Sequence, residues 1–214
     1  MKTHELTCAS ALVLLFGAAG CHPYPCGKPM PENITEQVIE TIKHDGAVFE
    51  IVERPEMVYA GKAYYTTSTP PDKGEFHTMT NDDEIQKALD SVLKFHPSTG
   101  RVHISVDFGK PHPERLGFVF AKETETKNQP EGVDVFVMPA SLFIRGYSNS
   151  DTARLMGKTE CQPWELFAFM RYEIMPKHGY KMAENGAQEM EYFDNAERTR
   201  GYAYIPVVRM ESKE

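Results

Sequence analysis

Aromatic side chains recur at every second position in two segments of the chain, and one of these segments also carries an arginine. Tyr202 and Tyr204 have this spacing near the C-terminus, and Phe143, Arg145 and Tyr147 have it in the middle of the chain. Alternate side chains of an extended strand point to the same face of a sheet. Each set is therefore a candidate lining of a ligand-binding groove, with Arg145 positioned to bind an acidic group. A face half exposed to solvent is the alternative interpretation of both sets.

Trp164, the only tryptophan, lies in a segment with helical periodicity and is the sixth candidate, as a wall of the same pocket. Ordinary packing of a helix is its alternative interpretation.

Two pairs of glutamates carry side chains that are suited to acid or base catalysis. Glu50 and Glu53 fall on opposite faces of a predicted strand, whereas Glu189 and Glu191 share one face. We interpret the second pair as an exposed, charged strand edge.

No pattern for metal binding or covalent catalysis stands out. Among eight histidines, which include His103 in a predicted strand, no pair has ligand spacing and none is singled out as a haem ligand. The cysteine spacing does not fit a zinc site. The chain also lacks an HExxH motif, a glycine-rich phosphate loop and a Ser/His/Asp order. We therefore predict no catalytic residue and no metal site, and expect a binding protein rather than an enzyme.

The composition is typical of a folded domain with an acidic surface. With 214 residues, 41% of them hydrophobic, the chain is long enough for one large core or two small fused halves. Its formal net charge is −8, and it has no run of lysine and arginine. Binding to a phosphate backbone requires a concentrated basic face, so we expect no nucleic-acid partner.

The N-terminus has the pattern of an export signal. Residues 1–20 combine Lys2, an apolar run and small residues before Cys21, which predicts a signal peptide too short to be a stop-transfer helix. The four residues AAGC that end at Cys21 also resemble a bacterial lipobox, in which that cysteine is acylated and tethers the protein to a membrane. We expect an exported protein: a cell-envelope lipoprotein if the source is bacterial, and otherwise a secreted protein. The pairing of Cys21, Cys26 and Cys161 stays open.

A proline-rich spacer at 21–46 is predicted to precede the first repeat, which covers 47–122. Its helix begins after the N-cap Asn81, where three acidic residues follow, as the helix dipole favours. Periodicity and turn residues predict four strands around this helix. These strands are Val48–Glu53, Met57–Thr66, Arg101–Phe108 and Leu116–Lys122.

A polar linker at 123–131 leads to the second repeat at 132–208, and 209–214 forms a tail. This repeat opens with a hairpin over Gly132–Asn149 that turns at Pro139. A helix at about Pro163–Lys177 and two strands, Glu189–Phe193 and Tyr202–Val208, follow. Because both repeats have the same order, we predict an α+β fold of two fused β-β-α-β-β repeats with pseudo-twofold symmetry. Its antiparallel sheet carries two helices on one face, with a groove between the halves.

The second half resembles the SOUL haem-binding and gyrase-inhibitor-like (GyrI-like) superfamily. Leu142–Ser148 is similar to the second strand of SOUL proteins. Tyr204–Val207 is similar to the aromatic-aliphatic-Pro-aliphatic ending of GyrI-like effector-binding domains. The first half matches more loosely, through Phe49–Gly61 and the predicted helix, so the resemblance covers roughly residues 47–208.

This resemblance implies a cleft between the repeats that binds small, flat and apolar molecules. Its ligands are haem or another tetrapyrrole in the SOUL branch and drug-like effectors in the GyrI-like branch. GyrI-like domains often carry a glutamate two residues before the closing aromatic, where it attracts cations. This chain has Tyr202 at that position, which favours a flat or neutral ligand.

We thus expect an exported small-molecule-binding protein with a haem-like or other flat ligand, and membrane contact only through Cys21. Two alternatives follow from the same resemblance. One is a hydrolase that detoxifies reactive small molecules, which requires a buried carboxylate or histidine in the cleft. The other is a protein-interaction module, as in gyrase inhibitors.

Overall fold

The computed structural model describes residues 36–66, 80–96, 100–108, 116–194 and 198–211. Within them the chain forms one ten-stranded antiparallel sheet with helices on one face. The strands are β1 (Gln37–His44), β2 (Ala47–Arg54), β3 (Met57–Tyr65), β4 (Arg101–Val106), β5 (Gly117–Thr124), β6 (Asp134–Met138), β7 (Ser141–Tyr147), β8 (Tyr180–Met182), β9 (Glu189–Phe193) and β10 (Gly201–Arg209).

The helices are α1 (Asp82–Ser91), α2 (Ser150–Leu155) and α3 (Pro163–Phe169), which continues through a π-helical turn (Met170–Ile174) into α4 (Met175–Lys177). The Asn81 side chain accepts hydrogen bonds from the backbone of Asp83 and Glu84, so the predicted N-cap of α1 is confirmed. Helix α2 lies between the predicted hairpin and the predicted helix at Pro163–Lys177, in a segment for which no element was predicted. Its N-cap Asn149 forms a capping box with Thr152, a signal that sequence analysis passed over.

The strand order confirms the predicted repeat architecture. Along the sheet the order is β1-β2-β7-β10-β9-β4-β5-β3-β6, with β8 beside β10. Three pairings of one half have counterparts in the other: β3 with β5 matches β7 with β10, β4 with β5 matches β9 with β10, and β3 with β6 matches β7 with β2. Strands β1 and β8 have no counterpart among the described residues. Strands β4 and β9 pair with each other at the centre, where the pseudo-twofold axis passes.

The predicted hairpin at Gly132–Asn149 is wrong, although both of its strands exist. Strand β6, the first strand of the second repeat, pairs with β3 of the first repeat. Strand β2, the first strand of the first repeat, pairs with β7 of the second repeat, and β7 also pairs with β10. Two-residue hairpin turns favour positive φ, which Pro139 cannot adopt. The proline corner therefore passes the chain from one half of the sheet to the other, as Pro55 does between β2 and β3.

The ends of two predicted segments also need correction. Residues 37–44, assigned to the spacer, form β1, which turns through Asp45 and Gly46 at positive φ and pairs with β2. Glu123, assigned to the linker, is fully buried in β5. Both segments contain charged residues and were assigned to the spacer and the linker, whereas pairing and burial override composition in this sheet. Residues 1–35, with the predicted signal and Cys21, lie outside the described residues.

The two larger hydrophobic clusters of the described residues lie on opposite faces of the sheet, and a small third one contains Ala60, Val92 and Phe95. One packs under α2 and α3 and includes Phe49, Ile144 and Ile205. The other fills the inner side, where the curved halves of the sheet face each other, and includes Tyr59 and Tyr192. Among the described residues, no helix is long and apolar enough to cross a membrane.

Candidate functional site

A cavity of about 750 Å³ lies on the helical face of the sheet, at the junction of the two repeats. Helix α1 packs on β3 and β5, while α3 packs on β7, β9 and β10. The central strands β4 and β9 are left between these helices, and their outward side chains form the floor. Because the floor lies where the pseudo-twofold axis crosses the sheet, both repeats contribute to this cavity, which we call the cleft.

Aromatic rings form much of the cleft wall. Phe118 and Phe120 project from alternate positions of β5, with ring centroids 6.2 Å apart, and Phe108 stacks on Phe118 at 5.0 Å. Phe167 and Trp164 contribute from α3 on the opposite side. Trp164 is 58% exposed and donates a hydrogen bond to Gln162, which places its ring at the rim. These walls suit a flat apolar molecule.

Two ionisable groups from the central strands meet on the floor. His103 of β4 and Glu191 of β9 are direct cross-strand partners, and Nδ1 of the histidine lies 3.5 Å from Oε2 of the glutamate. The imidazole ring is flanked edge-on by Phe120 and Phe193, each at 4.7 Å between centroids. Neither His103 Nε2 nor Glu191 Oε1 has a hydrogen-bond partner, and both atoms are buried. A buried polar atom without a partner is costly, and it commonly marks a functional site.

The remaining charged groups of the cleft form pairs among themselves. Glu189, two residues before Glu191 on the same face, forms an ion pair with Arg171 of the π-helical turn. Glu165 and Lys158 form an ion pair at the rim. Among the lining side chains that the structure describes, Glu191 is therefore the carboxyl group that has no cationic partner. An ionised Glu191 would leave the cleft with one uncompensated negative charge.

Burial shifts the ionisation of both floor groups toward their neutral forms. Burial, and in second place the charge of Glu189, raises the pKa of Glu191 to about 7. Burial also holds the pKa of His103 well below its usual range, and the positive charges of Arg101 and Arg198 act in the same direction. His103 and Glu191 therefore form a pair of neutral groups in mildly acidic solution, and an ionised carboxylate faces a neutral imidazole above pH 7.

The structure brings five of the six predicted ligand-binding residues together, but on the face of the sheet turned away from the cleft. Trp164 alone of the six lines the cleft. The other five are Phe143, Arg145, Tyr147, Tyr202 and Tyr204. They share a face, as the period-two spacing required, and that face points into or beside the inner cluster. The period-two spacing determines which side chains share a face of the sheet, but it does not show which of the two faces the helices cover.

Arg145, which was expected to bind an acidic group of the ligand, interacts instead with other residues of the chain. Arg145 forms ion pairs with Glu36 and Glu50, its guanidinium lies 4.9 Å from the Tyr202 ring centroid, and it donates a hydrogen bond to Tyr204. Burial of the Tyr204 phenol raises its pKa above the usual range. The acidic group predicted for this position is thus supplied by the chain itself.

Glu189 and Glu191 were interpreted as an exposed strand edge, which is wrong. Strand β9 is central, between β10 and β4, and both carboxylates are buried. Position in a sheet depends on pairing between distant segments, which alternation within one strand does not reveal. Phe118 and Phe120 were overlooked, although they show the same period-two spacing that drew attention to the tyrosines.

Among the described residues, the lining of the cleft contains neither a cluster of metal ligands nor the Cys161 thiol. Within the described ranges, no group of three or more His, Cys, Asp or Glu side chains is arranged to hold a metal ion. Cys161 is buried beside Thr152, with 3.4 Å between the sulfur and the hydroxyl oxygen. Cys21 and Cys26 lie outside the described residues, so the pairing of these cysteines stays open.

No protein-family model matches the chain, and no curated protein matches its sequence. Several solved structures are similar to it at low identity. SAV2435 bound to tetraphenylphosphonium is 8% identical, with a TM-score of 0.46, and the match covers 75% of this chain and 93% of that chain. An integron cassette protein from the mobile metagenome of Vibrio cholerae is 10% identical, with a TM-score of 0.46 and coverage of 83% and 100%.

The C-terminal domain of EcmrR is 15% identical, with a TM-score of 0.43 and coverage of 76% of this chain and 98% of that chain. Identities and TM-scores of this size are too low to assign a ligand. The function is therefore derived from the geometry and charge of the cleft.

Proposed function

We propose that this protein binds one flat, aromatic organic cation in the cleft between its repeats, as a GyrI-like effector-binding domain. The observation that carries the proposal is the buried Glu191 carboxyl, which has an unpartnered oxygen on the floor of an aromatic cavity and no cationic partner. Aromatic faces attract cations, and a carboxylate in a partly desolvated site attracts them more strongly than one in water.

The proposal differs from the expectation of a neutral ligand in one respect. Tyr202 replaces the glutamate that GyrI-like domains often carry on the closing strand, and it lies on the other face of the sheet. Glu191, on the neighbouring strand β9, supplies an acidic group to the cleft instead. Ligand size is set by the cavity of about 750 Å³, which is in the range of drug-sized pockets.

A tetrapyrrole, the ligand class of the SOUL branch, fits the described residues less well. Haem carries two propionates, and the floor presents Glu189 and Glu191 to them. His103 lies beside Glu191 with its ring flanked by Phe120 and Phe193, so the acidic floor, and not access to the imidazole, is what disfavours haem. We therefore favour a cation, and a Soret band on titration with haem would contradict this choice.

A pair of probes of the same shape tests the charge requirement. At pH 8.5, 10-methylacridinium is a permanent cation and acridine is neutral. We expect 10-methylacridinium to quench Trp164 fluorescence and to bind at least about tenfold more tightly than acridine, because a close pair of opposite charges in a partly desolvated site contributes roughly 1.5 kcal/mol or more. Equal affinity for the two probes, or no binding of either by calorimetry, would contradict the proposal.

A tryptophan variant and a tyrosine variant on opposite faces of the sheet test which face binds the ligand. Trp164→Ala removes a ring from the cleft rim and should weaken 10-methylacridinium binding about five- to tenfold in calorimetry. Tyr202→Ala removes a ring from the other face and should leave the affinity within about twofold. Greater loss in the tyrosine variant would show that the binding site lies on the inner face.

A hydrolase is the second candidate function, and the His103–Glu191 pair favours it. A carboxyl group with a pKa near 7 is suited to general acid or base catalysis at neutral pH. Turnover of activated esters or epoxides by the purified protein, lost in Glu191→Gln, would support this function. Binding of the cation without turnover of these substrates would support the binding protein.

We also propose that the chain is exported and tethered through Cys21, on the basis of its N-terminal sequence. In a bacterial host, the protein should fractionate with membranes and carry label from radioactive palmitate. Cys21→Ser should abolish the label and move the protein to the soluble fraction. Retention of label in that variant would contradict the lipid anchor.

A further inference from the structure

We infer that an organic cation enters this cleft in exchange for the proton of the Glu191 carboxyl group, so that one proton leaves the protein for each ligand bound. The inference rests on the proposed function and adds its regulation by pH. It follows from the way charges are arranged around one buried carboxyl, which is 6% exposed.

The groups on its own strand and on the helical segment do not supply a positive charge to Glu191. Glu189 shares its face and repels a second negative charge, while Arg171 is engaged by Glu189. At the rim, Lys158 is engaged by Glu165. On the neighbouring strand β10, the direct partner of Glu191 is Ala203, which has no ionisable group.

The side chains that β4 and β5 present to the cleft also do not compensate the negative charge of an ionised Glu191. His103 is the direct partner on β4, and burial together with the charges of Arg101 and Arg198 keeps it neutral. It therefore does not take up the proton that Glu191 releases. Strand β5 presents Phe118 and Phe120 to the cleft. Without a ligand, a proton is the cation that neutralises Glu191, and burial, with the charge of Glu189 in second place, raises the pKa of this carboxyl group to about 7.

The exchange conserves charge inside the cleft. The O–H bond of the neutral carboxyl group breaks, its electron pair stays on the carboxylate, the proton passes to solvent, and the ligand cation takes its place. Buried charge is costly unless it is paired, so the ligand binds the ionised form far more tightly than the neutral form. Linkage then requires the affinity to fall about tenfold for each pH unit below the pKa of the free site.

The pH dependence of 10-methylacridinium binding tests the inference, because this probe has no titratable group. The full chain should bind it roughly 30-fold more tightly at pH 8.5 than at pH 5.5, with a plateau above pH 7.5. Calorimetry in two buffers of different ionisation enthalpy should show release of close to one proton per ligand at pH 6 and close to none at pH 8.5.

Two variants test whether Glu191 is the group that releases the proton when the ligand binds. Glu191→Gln should bind the probe weakly and with the same affinity across this pH range. Glu191→Asp, which keeps a carboxyl group at the same position, should retain the pH dependence, and circular dichroism checks that both variants fold.

The possible failures separate the inference from the function it rests on. Tight binding of the probe at all pH values without proton release would overturn the exchange and leave the proposed function intact. Persistence of the pH dependence in Glu191→Gln would also overturn it, because another group would then carry the proton. Failure of the wild-type protein to bind the cation at pH 8.5 would overturn the proposed function itself.

Discussion

Replacement of Arg54 by alanine should lower the free energy of unfolding by about 3–5 kcal/mol, the loss expected when one partner of a buried ion pair is removed. Arg54 is 3% exposed and donates hydrogen bonds to Glu123 at 3.0 Å and to Tyr192 at 2.8 Å. Its guanidinium lies 4.9 Å from the Tyr192 ring centroid and 5.2 Å from that of Tyr204. Without it, the fully buried Glu123 carboxylate loses its cation at the centre of the inner cluster.

Urea unfolding followed by far-UV circular dichroism measures this change, and a matched arginine on the surface provides the control. Arg209 pairs with Glu40 at 2.7 Å, but its side chain is 67% exposed, so Arg209→Ala should cost less than about 1 kcal/mol. The double variant Arg54→Met/Glu123→Leu should be more stable than Arg54→Ala, because it removes both charges. A cost below about 1 kcal/mol for Arg54→Ala would show that the network contributes little.

The second large effect concerns Glu191 and depends on pH. Glu191→Gln should raise the free energy of unfolding by about 3 kcal/mol at pH 8.5, and this gain should vanish near pH 4. The pKa of the folded state is raised from 4.5 to about 7, so the folded protein holds this proton more tightly than the unfolded chain does. The wild-type protein therefore loses stability as the pH rises from 4.5 through 7, and glutamine, which does not ionise, avoids this loss.

Unfolding of the ligand-free protein at several pH values measures this gain. Glu173→Gln makes the same chemical change on the π-helical turn, at a side chain that is 52% exposed and pairs with Lys177. It should alter the stability by less than about 1 kcal/mol at each pH. If Glu191→Gln is no more stable than the wild-type protein at pH 8.5, the carboxyl group is not buried in the way described here.

Local patterns in the sequence predicted most of the elements, because their causes lie within a few residues. Asn81 and the three acids after it start α1, and Pro163 lies in the first turn of α3. The order of strands and helices, repeated twice, predicted the pseudo-twofold architecture. Helix α2 and β8 were missed because they are short, and β1 was missed because its segment was assigned to the spacer, although it forms a local hairpin with β2.

Alternation predicted which of the candidate side chains share a face, but not which face of the sheet forms the cleft. Alternation correctly placed Phe143 and Arg145 on one face and Tyr202 on the corresponding face of its partner strand. Both faces of these strands are covered, one by helices and one by the opposite half of the sheet, so both are rich in apolar residues. Hydrophobicity alone therefore gave no means of telling the cleft face from the inner face.

The sequence by itself determined the repeat order, the helix starts and the sets of side chains that point together, because backbone periodicity and capping are local. The tertiary structure decided that β9 is a central strand, that Glu191 faces His103, and that Arg171 neutralises Glu189. These facts depend on pairing between the two repeats, whose contacting residues are separated by some 90 positions in the chain. Such pairing brings an uncompensated carboxyl group into an aromatic cleft, and no segment of the sequence contains that arrangement alone.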